Sequence, residues 1–202
     1  MQNHRSQRCF GDGDPLYERY HDREWGRPVT DESGLFERLC LEAFQAGLSW
    51  ITVLRKRSRF REAFHGFDPE RVAHMTARDR IRLLNDAGII RNRAKIEATV
   101  TNAQATLGLR GDGTDLPNLV WSFRPEEAPA RVDLASLPAT TPESAALSKT
   151  LKSAGFRFVG PTTAYALMQA CGLVNDHLSS CPVRDEVQDE RMGVRDQRVI
   201  EG

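Results

Sequence analysis

The sequence predicts an all-α protein, and three observations carry that reading. Apolar side chains recur at helical spacing from residue 31 to residue 172, strict apolar–polar alternation is nearly absent, and Asp or Thr repeatedly precedes a Pro or an apolar-periodic run as a helix N-cap does. The chain has 202 residues, enough for one domain with a buried core. Its 40% hydrophobic and 28% charged content lies near globular averages and excludes a disordered or collagenous chain.

Each helix has a local reason. Asp31 or Ser33 can cap a helix running through Gln45, with Gly47 as its stop. A second helix starts within Leu48–Leu54 and continues into the basic stretch Arg55–Arg61. Asp68, followed by Pro69 in the first-turn slot that proline tolerates, and Thr76 read as two further N-caps, for helices near 69–75 and 77–86. Residues 92–107 are amphipathic, Gly111–Thr114 makes a turn, and Leu116–Phe123 is a short helix. Three prolines mark 124–140 as loop. Thr141 opens a helix to about Ala154, Gly155 breaks it, Phe156–Gly160 connects, and Pro161 starts a helix to Gly172. The charged, weakly periodic residues after Cys181 suggest a mobile tail or a frayed helix.

Charge and cysteine content narrow the partners. Basic and acidic residues number 28 each, so attraction to a polyanion has to be local. The four cysteines are too few for a disulfide scaffold and suit metal ligation or simple burial. No apolar run approaches the roughly 18 residues of a membrane span, and the first residues lack a signal peptide's apolar stretch, so a cytoplasmic protein is expected.

Within this frame, a few groups of residues could carry chemistry. Leu35, Leu39, Glu42, Ala43 and Ala46 share one helical stripe, which turns Glu42 inward; it is either a boundary acid paired with an arginine or a pocket carboxylate. Tyr17, Tyr20, Trp25 and Trp50 are either plain core or the wall of a site for a flat, cationic heterocycle such as a purine. Cys9, His21, His177 and Cys181 would saturate a tetrahedral zinc ion if the two ends of the chain met, although their spacing is no standard finger and equally fits unrelated residues. Residues 151–163 read as a helix, a glycine-bounded hairpin and a helix, whose start at Gly160 offers free N–H groups to a DNA phosphate or forms an ordinary corner. The run Arg55, Lys56, Arg57, Arg59 and Arg61 is local charge for DNA or a solvated face.

Taken together and in order, Asp14-Pro-Leu-Tyr17, Tyr20-His-Asp22, Glu24-Trp-Gly26, Gln45–Leu54, Asp86–Arg91, Trp121-Ser-Phe123, Phe158-Val-Gly160 and Met168–His177 strongly resemble the bacterial DNA-3-methyladenine glycosylase I family. The likeness spans residues 9–181, leaving residues 1–8 as an extension and 182–202 as a charged tail. It implies an all-α, helix-hairpin-helix glycosylase with one structural zinc ion held by Cys9, His21, His177 and Cys181. It also implies a base pocket of Tyr17, Tyr20, Trp25, Glu42 and Trp50 in which Glu42 is catalytic. Leu48 matches a position that probes the gap left in the duplex, and Gly160, Thr162 and Thr163 match the phosphate-binding hairpin. The implied substrate is double-stranded DNA carrying alkylated adenine, met by a monomer with no membrane partner. Superfamily enzymes that also cut the strand use a lysine shortly after the hairpin, and residues 161–176 hold none, so a monofunctional hydrolase is expected. Asp176 is expected to orient His177 from behind the metal. One departure from the family pattern lies between Cys9 and Asp14, an interval one residue short, with Phe10-Gly-Asp-Gly where a tryptophan is usual. Two competing readings are a zinc-stabilised lesion-binding module, which would need no inward acid, and a metallohydrolase, for which four protein ligands leave no position for water.

Overall fold

The computed structural model describes residues 8–126, 131 and 133–200, so residues 1–7 of the expected N-terminal extension and part of the 124–140 loop lie outside the described residues. The described architecture is all-α, as the periodicity predicts. It comprises α1 (Pro15–Arg23), α2 (Glu32–Gln45), α3 (Trp50–Ala63), α4 (Pro69–Ala73), α5 (Ala77–Leu84), α6 (Arg93–Gly111), α7 (Leu116–Trp121), α8 (Pro142–Ser153), α9 (Pro161–Ala170) and α10 (Arg184–Ile200). Short 3-10 turns lie at His65–Phe67 and Leu134–Ser136, and the single β-type pairing among the described residues joins Arg131 to Leu178.

The capping chemistry read from the sequence is in place. Asp31 accepts from the Gly34 N–H at 2.8 Å, Asp68 from Glu70 N–H at 2.9 Å, and Thr76 and Thr141 close reciprocal capping boxes with Asp79 and Ser144. Ser49 is the N-cap of α3, whose first residue, Trp50, falls inside the expected Leu48–Leu54 stretch and leaves Leu48 in the loop. Helix α1 was not foreseen, although Asp14 caps it through the Leu16 and Tyr17 N–H groups and Pro15 occupies its first turn.

Helix α2 is the axis of the molecule. A single apolar stripe is too narrow a description, because every residue from Leu35 to Phe44 is buried and α3, α6, α7 and α9 all pack on it. Phe44, Phe60, Phe64 and Phe67 continue this core in a chain of rings with centroids 4.6–6.2 Å apart. Helices α8 and α9 pack on each other as the arms of the hairpin. Residues Arg184–Ile200 form a helix, and its first half is docked: Val187 is fully buried, and Arg191 donates to the Gly172 and Leu173 carbonyls at 2.6 and 2.7 Å.

The N- and C-terminal segments meet at two glycines. Gly26 (φ +80°) lies under the His177 ring, where a Cβ would come within 3.2 Å, and at Gly172 (φ +78°) a Cβ would lie 2.7 Å from the Gly26 carbonyl oxygen. Both need the left-handed backbone and the missing side chain.

Candidate active site and metal centre

The cavity is built from α1, the residues just after it, α2, α3 and α9. Tyr17 and Tyr20 are three apart on α1 and share one face of it, with centroids 6.5 Å apart. Trp50, at the start of α3, meets Tyr20 at 5.2 Å, and Trp25 follows the end of α1. These four rings and Glu42 line one cavity of about 120 Å³, as the sequence reading expects. Four further lining residues were not anticipated: Phe10, Gln45, Ala166 and Gln169. Phe10 contacts Tyr17 and Trp25 at 4.9 Å each, so the shortened interval after Cys9 still delivers an aromatic side chain to this wall. Helical spacing was the available signal for the rest, since Gln45 lies three residues beyond Glu42, and Ala166 and Gln169 are three apart on α9.

Glu42 is 5% exposed, and among the described residues no hydrogen bond reaches its carboxyl. Burial therefore pushes its carboxyl up to about 8, against the opposing pull of Arg38 one turn earlier on α2. Arg38 is itself committed to Glu24 at 2.7 Å, lies 5.6 Å from the Tyr20 ring centroid, and so does not pair with Glu42. Trp50 also keeps a buried, unpartnered indole N–H. A cavity that leaves an acid and a donor unsatisfied inside aromatic walls is arranged for a polar ligand with a flat face.

Beside the cavity lies a groove lined by Gly47 and Leu48 on the α2–α3 loop and by Thr162 and Thr163 on α9, with Glu42, Gln45 and Ala166 lining both. Leu48 is 43% exposed at the tip of the α2–α3 loop. Gly160 is the N-cap of α9, no side chain caps that end, and Pro161 has no N–H, so the Thr162 and Thr163 N–H groups are open to an anion. A Cβ at Gly160 would meet nothing within 4 Å, so the protein itself does not demand glycine there. The basic run on α3 is a paired face: Arg55 pairs with Asp14, Arg57 with Glu24, Arg59 with Glu62 and Asp86, Arg61 with Glu37, and Lys56 donates to the Ala87 carbonyl.

Behind the aromatic wall, Cys9, His21, His177 and Cys181 converge with all four donor atoms within 4.8 Å of one another, each residue buried. Cys9 Sγ and Cys181 Sγ stand 3.7 and 3.4 Å from His177 Nδ1, and Cys181 Sγ stands 3.5 Å from His21 Nε2. Tetrahedral zinc bonds of about 2.3 Å to sulfur and about 2.0 Å to nitrogen require sulfur–nitrogen edges of about 3.5 Å, so this set can hold a metal ion. Hydrogen bonding from Cys9, with His177 and His21, holds the Cys181 thiol well below the ordinary range against its burial. His177 and Cys181 meet through a turn closed by the Cys181 N–H on the Leu178 carbonyl, and not on a helix.

The expected orienting role of Asp176 is not observed. The Nε2 of His177 lies 3.0 Å from the Trp25 carbonyl, and Asp22 lies 2.8 Å from His21 Nδ1; these are the groups that orient the two imidazoles. Asp176, next in sequence to His177, points away from it, toward Tyr165, Gln169 and Arg131. Asp22 is held by Arg8, which draws its carboxyl down to about 2.

Comparison with known proteins follows the same lines. The sequence profile of the methyladenine glycosylase family matches residues 10–185. The chain is 54% identical over 171 residues to DNA-3-methyladenine glycosylase 1 of Escherichia coli strain K12, covering 83% of this chain and 91% of that protein. It resembles a crystal structure of 3-methyladenine DNA glycosylase I with a TM-score of 0.84 and 51% identity, over 87% of this chain and 98% of that one. A variant of 3-methyladenine DNA glycosylase I in complex with 3-methyladenine is similar at a TM-score of 0.82 and 38% identity, over 87% and 96% of the two chains. Among the described residues no helix is long and apolar enough to cross a membrane.

Proposed function

The chain belongs to the DNA-3-methyladenine glycosylase I family, and on that premise we propose that the Glu42 cavity receives 3-methyladenine from alkylated double-stranded DNA. The protein is an N-glycosylase of base excision repair that releases this base. The observation that carries the assignment of the site is Glu42, an inward carboxyl with no protein donor, surrounded by Tyr17, Tyr20, Trp25 and Trp50.

The target bond lies inside the duplex, so the nucleotide has to be extruded, at a cost of a few kcal/mol that weakened pairing of the damaged base reduces. Leu48 fills the gap left behind, while the Thr162 and Thr163 N–H groups at the Gly160 end of α9 grip a phosphate and fix the register. Methylation at N3 makes adenine a cation. Its arrival supplies the positive charge that Glu42 lacks, so the carboxyl ionises and accepts from the exocyclic amino group. Guanine presents a carbonyl at that position and is disfavoured. The cationic base leaves as a neutral molecule when the glycosidic bond breaks, so no strong general acid is needed, and stacking and orientation supply most of the catalysis. With no lysine in residues 161–176, water completes the hydrolysis and the strand stays intact.

Cys9, His21, His177 and Cys181 would hold one zinc ion. Four protein ligands make it a structural cross-link between the two ends of the chain. The inward acid weighs against a lesion-binding module without catalysis. Chromatography of bases released from a methylated duplex tests the proposal, which expects free 3-methyladenine and an intact strand on a denaturing gel. Strand cleavage, or no released base, overturns it.

A further inference from the structure

We propose that Gln169 is a specificity-determining residue of the base cavity, and that buried Asp176 locks its amide so that Oε1, an acceptor, faces the base. This rests on the cavity around Glu42 being the base pocket. Asp176 has a fully buried side chain 2.6 Å from the Tyr165 hydroxyl and 2.8 Å from Gln169 Nε2, both through Oδ2, and 3.1 Å from Arg131 Nε through Oδ1. All three groups donate to it. A carboxylate can only accept, so it fixes which end of the planar Gln169 amide it sees: Nε2 must face Asp176. Gln169 lines the cavity, and with Nε2 held by Asp176 the amide end left to face a base is Oε1.

Beside the Trp50 indole N–H, the cavity then presents two acceptors, the Glu42 carboxylate and Gln169 Oε1. Two acceptors suit an edge rich in donors, such as an exocyclic amino group with its two N–H bonds. A base with a carbonyl there sets its lone pairs against both, and a buried acceptor left without a donor loses affinity steeply. The proposal also gives Asp176 a purpose. Burying a carboxylate is costly, and here the result is a glutamine side chain that cannot flip.

The test is the ratio of 3-methyladenine to 3-methylguanine released from one methylated duplex by the full-length, zinc-loaded protein. Gln169→Leu removes the acceptor and keeps the bulk. Asp176→Asn goes further: Arg131 retains the oxygen of the new amide, its nitrogen replaces Oδ2, and Gln169 turns to bond it, exposing Nε2 to the cavity. We expect the ratio to fall about tenfold in Gln169→Leu and at least as far in Asp176→Asn, with zinc content unchanged in Gln169→Leu and its melting temperature lowered by the loss of the donor to buried Asp176. A Gln169→Leu ratio at the wild-type value, whatever its absolute rate, overturns the proposal, because a purely structural role would slow both releases alike. Wild-type protein that releases neither base defeats the base-pocket reading itself, a result distinct from failure at Gln169 alone.

Discussion

At the scale of single residues, Glu42 costs stability for the sake of its role. Its carboxyl is raised to about 8 in the folded protein by burial, whereas in the unfolded chain it titrates near its ordinary value of about 4.3. Below that value both states are protonated and the group is neutral in its effect. As pH rises toward 8 the unfolded chain releases the proton first, so the contribution turns against folding by as much as a few kcal/mol. Glu42→Gln, which cannot ionise, should therefore gain in melting temperature relative to wild type between pH 4.5 and pH 8. Thermal melts at both pH values check this, and a gap that stays constant would show that Glu42 is not desolvated. The sequence revealed that Glu42 turns inward, because its stripe on α2 is a matter of helical spacing. It could not reveal Asp176's true partners, since adjacent residues in a loop point in directions that spacing does not determine.

At the scale of elements, most capped helices were legible, whereas α1 was missed even though Asp14 and Pro15 mark its start. Asp31, Asp68, Thr76 and Thr141 announce α2, α4, α5 and α8 because a capping side chain satisfies N–H groups that would otherwise be orphaned. Helix α1 was hidden behind its own aromatic residues, and α10 behind its charge; Val187 and Arg191 tie α10 down through burial and two carbonyls, with Arg184 on the His177 carbonyl and Arg27 on Glu186 and Glu190. The loop carrying Leu48 owes its position to α6. Lys95 donates to the Phe44 and Ala46 carbonyls at 2.8 and 2.7 Å, satisfying the end of α2 just before Gly47. Lys95→Met should cost about 2–3 kcal/mol of stability. It should also reduce excision from duplex DNA more than it weakens binding of free 3-methyladenine, because it loosens the Leu48 loop and leaves the rings in place. Parallel excision and tryptophan-fluorescence binding measurements check this, and equal losses would contradict it.

At the scale of the whole molecule, the cavity and the metal centre are one construction. Phe10 meets both Trp25 and His21 at 4.9 Å, and Trp25 meets His177 at 4.6 Å, so the rings that line the cavity on one side rest on the imidazoles of the candidate metal site on the other. Chelation, or Cys181→Ser, should first lower the melting temperature and then weaken base binding; abrupt loss of turnover at an unchanged melting temperature would indicate a catalytic metal instead. Residue types and their order were enough to group Tyr17, Tyr20, Trp25, Glu42 and Trp50. The way they share walls, including Phe10 and Gln169, depends on packing between segments far apart in sequence. The most direct test of Glu42 as the acceptor for a cationic base is the pH profile of kcat/KM for 3-methyladenine release, measured in wild type and Glu42→Gln. Wild-type kcat/KM should climb with pH to a plateau above about 8, and the variant should lie at least about tenfold lower there with a flat profile. Superimposable profiles for the two proteins would contradict that role.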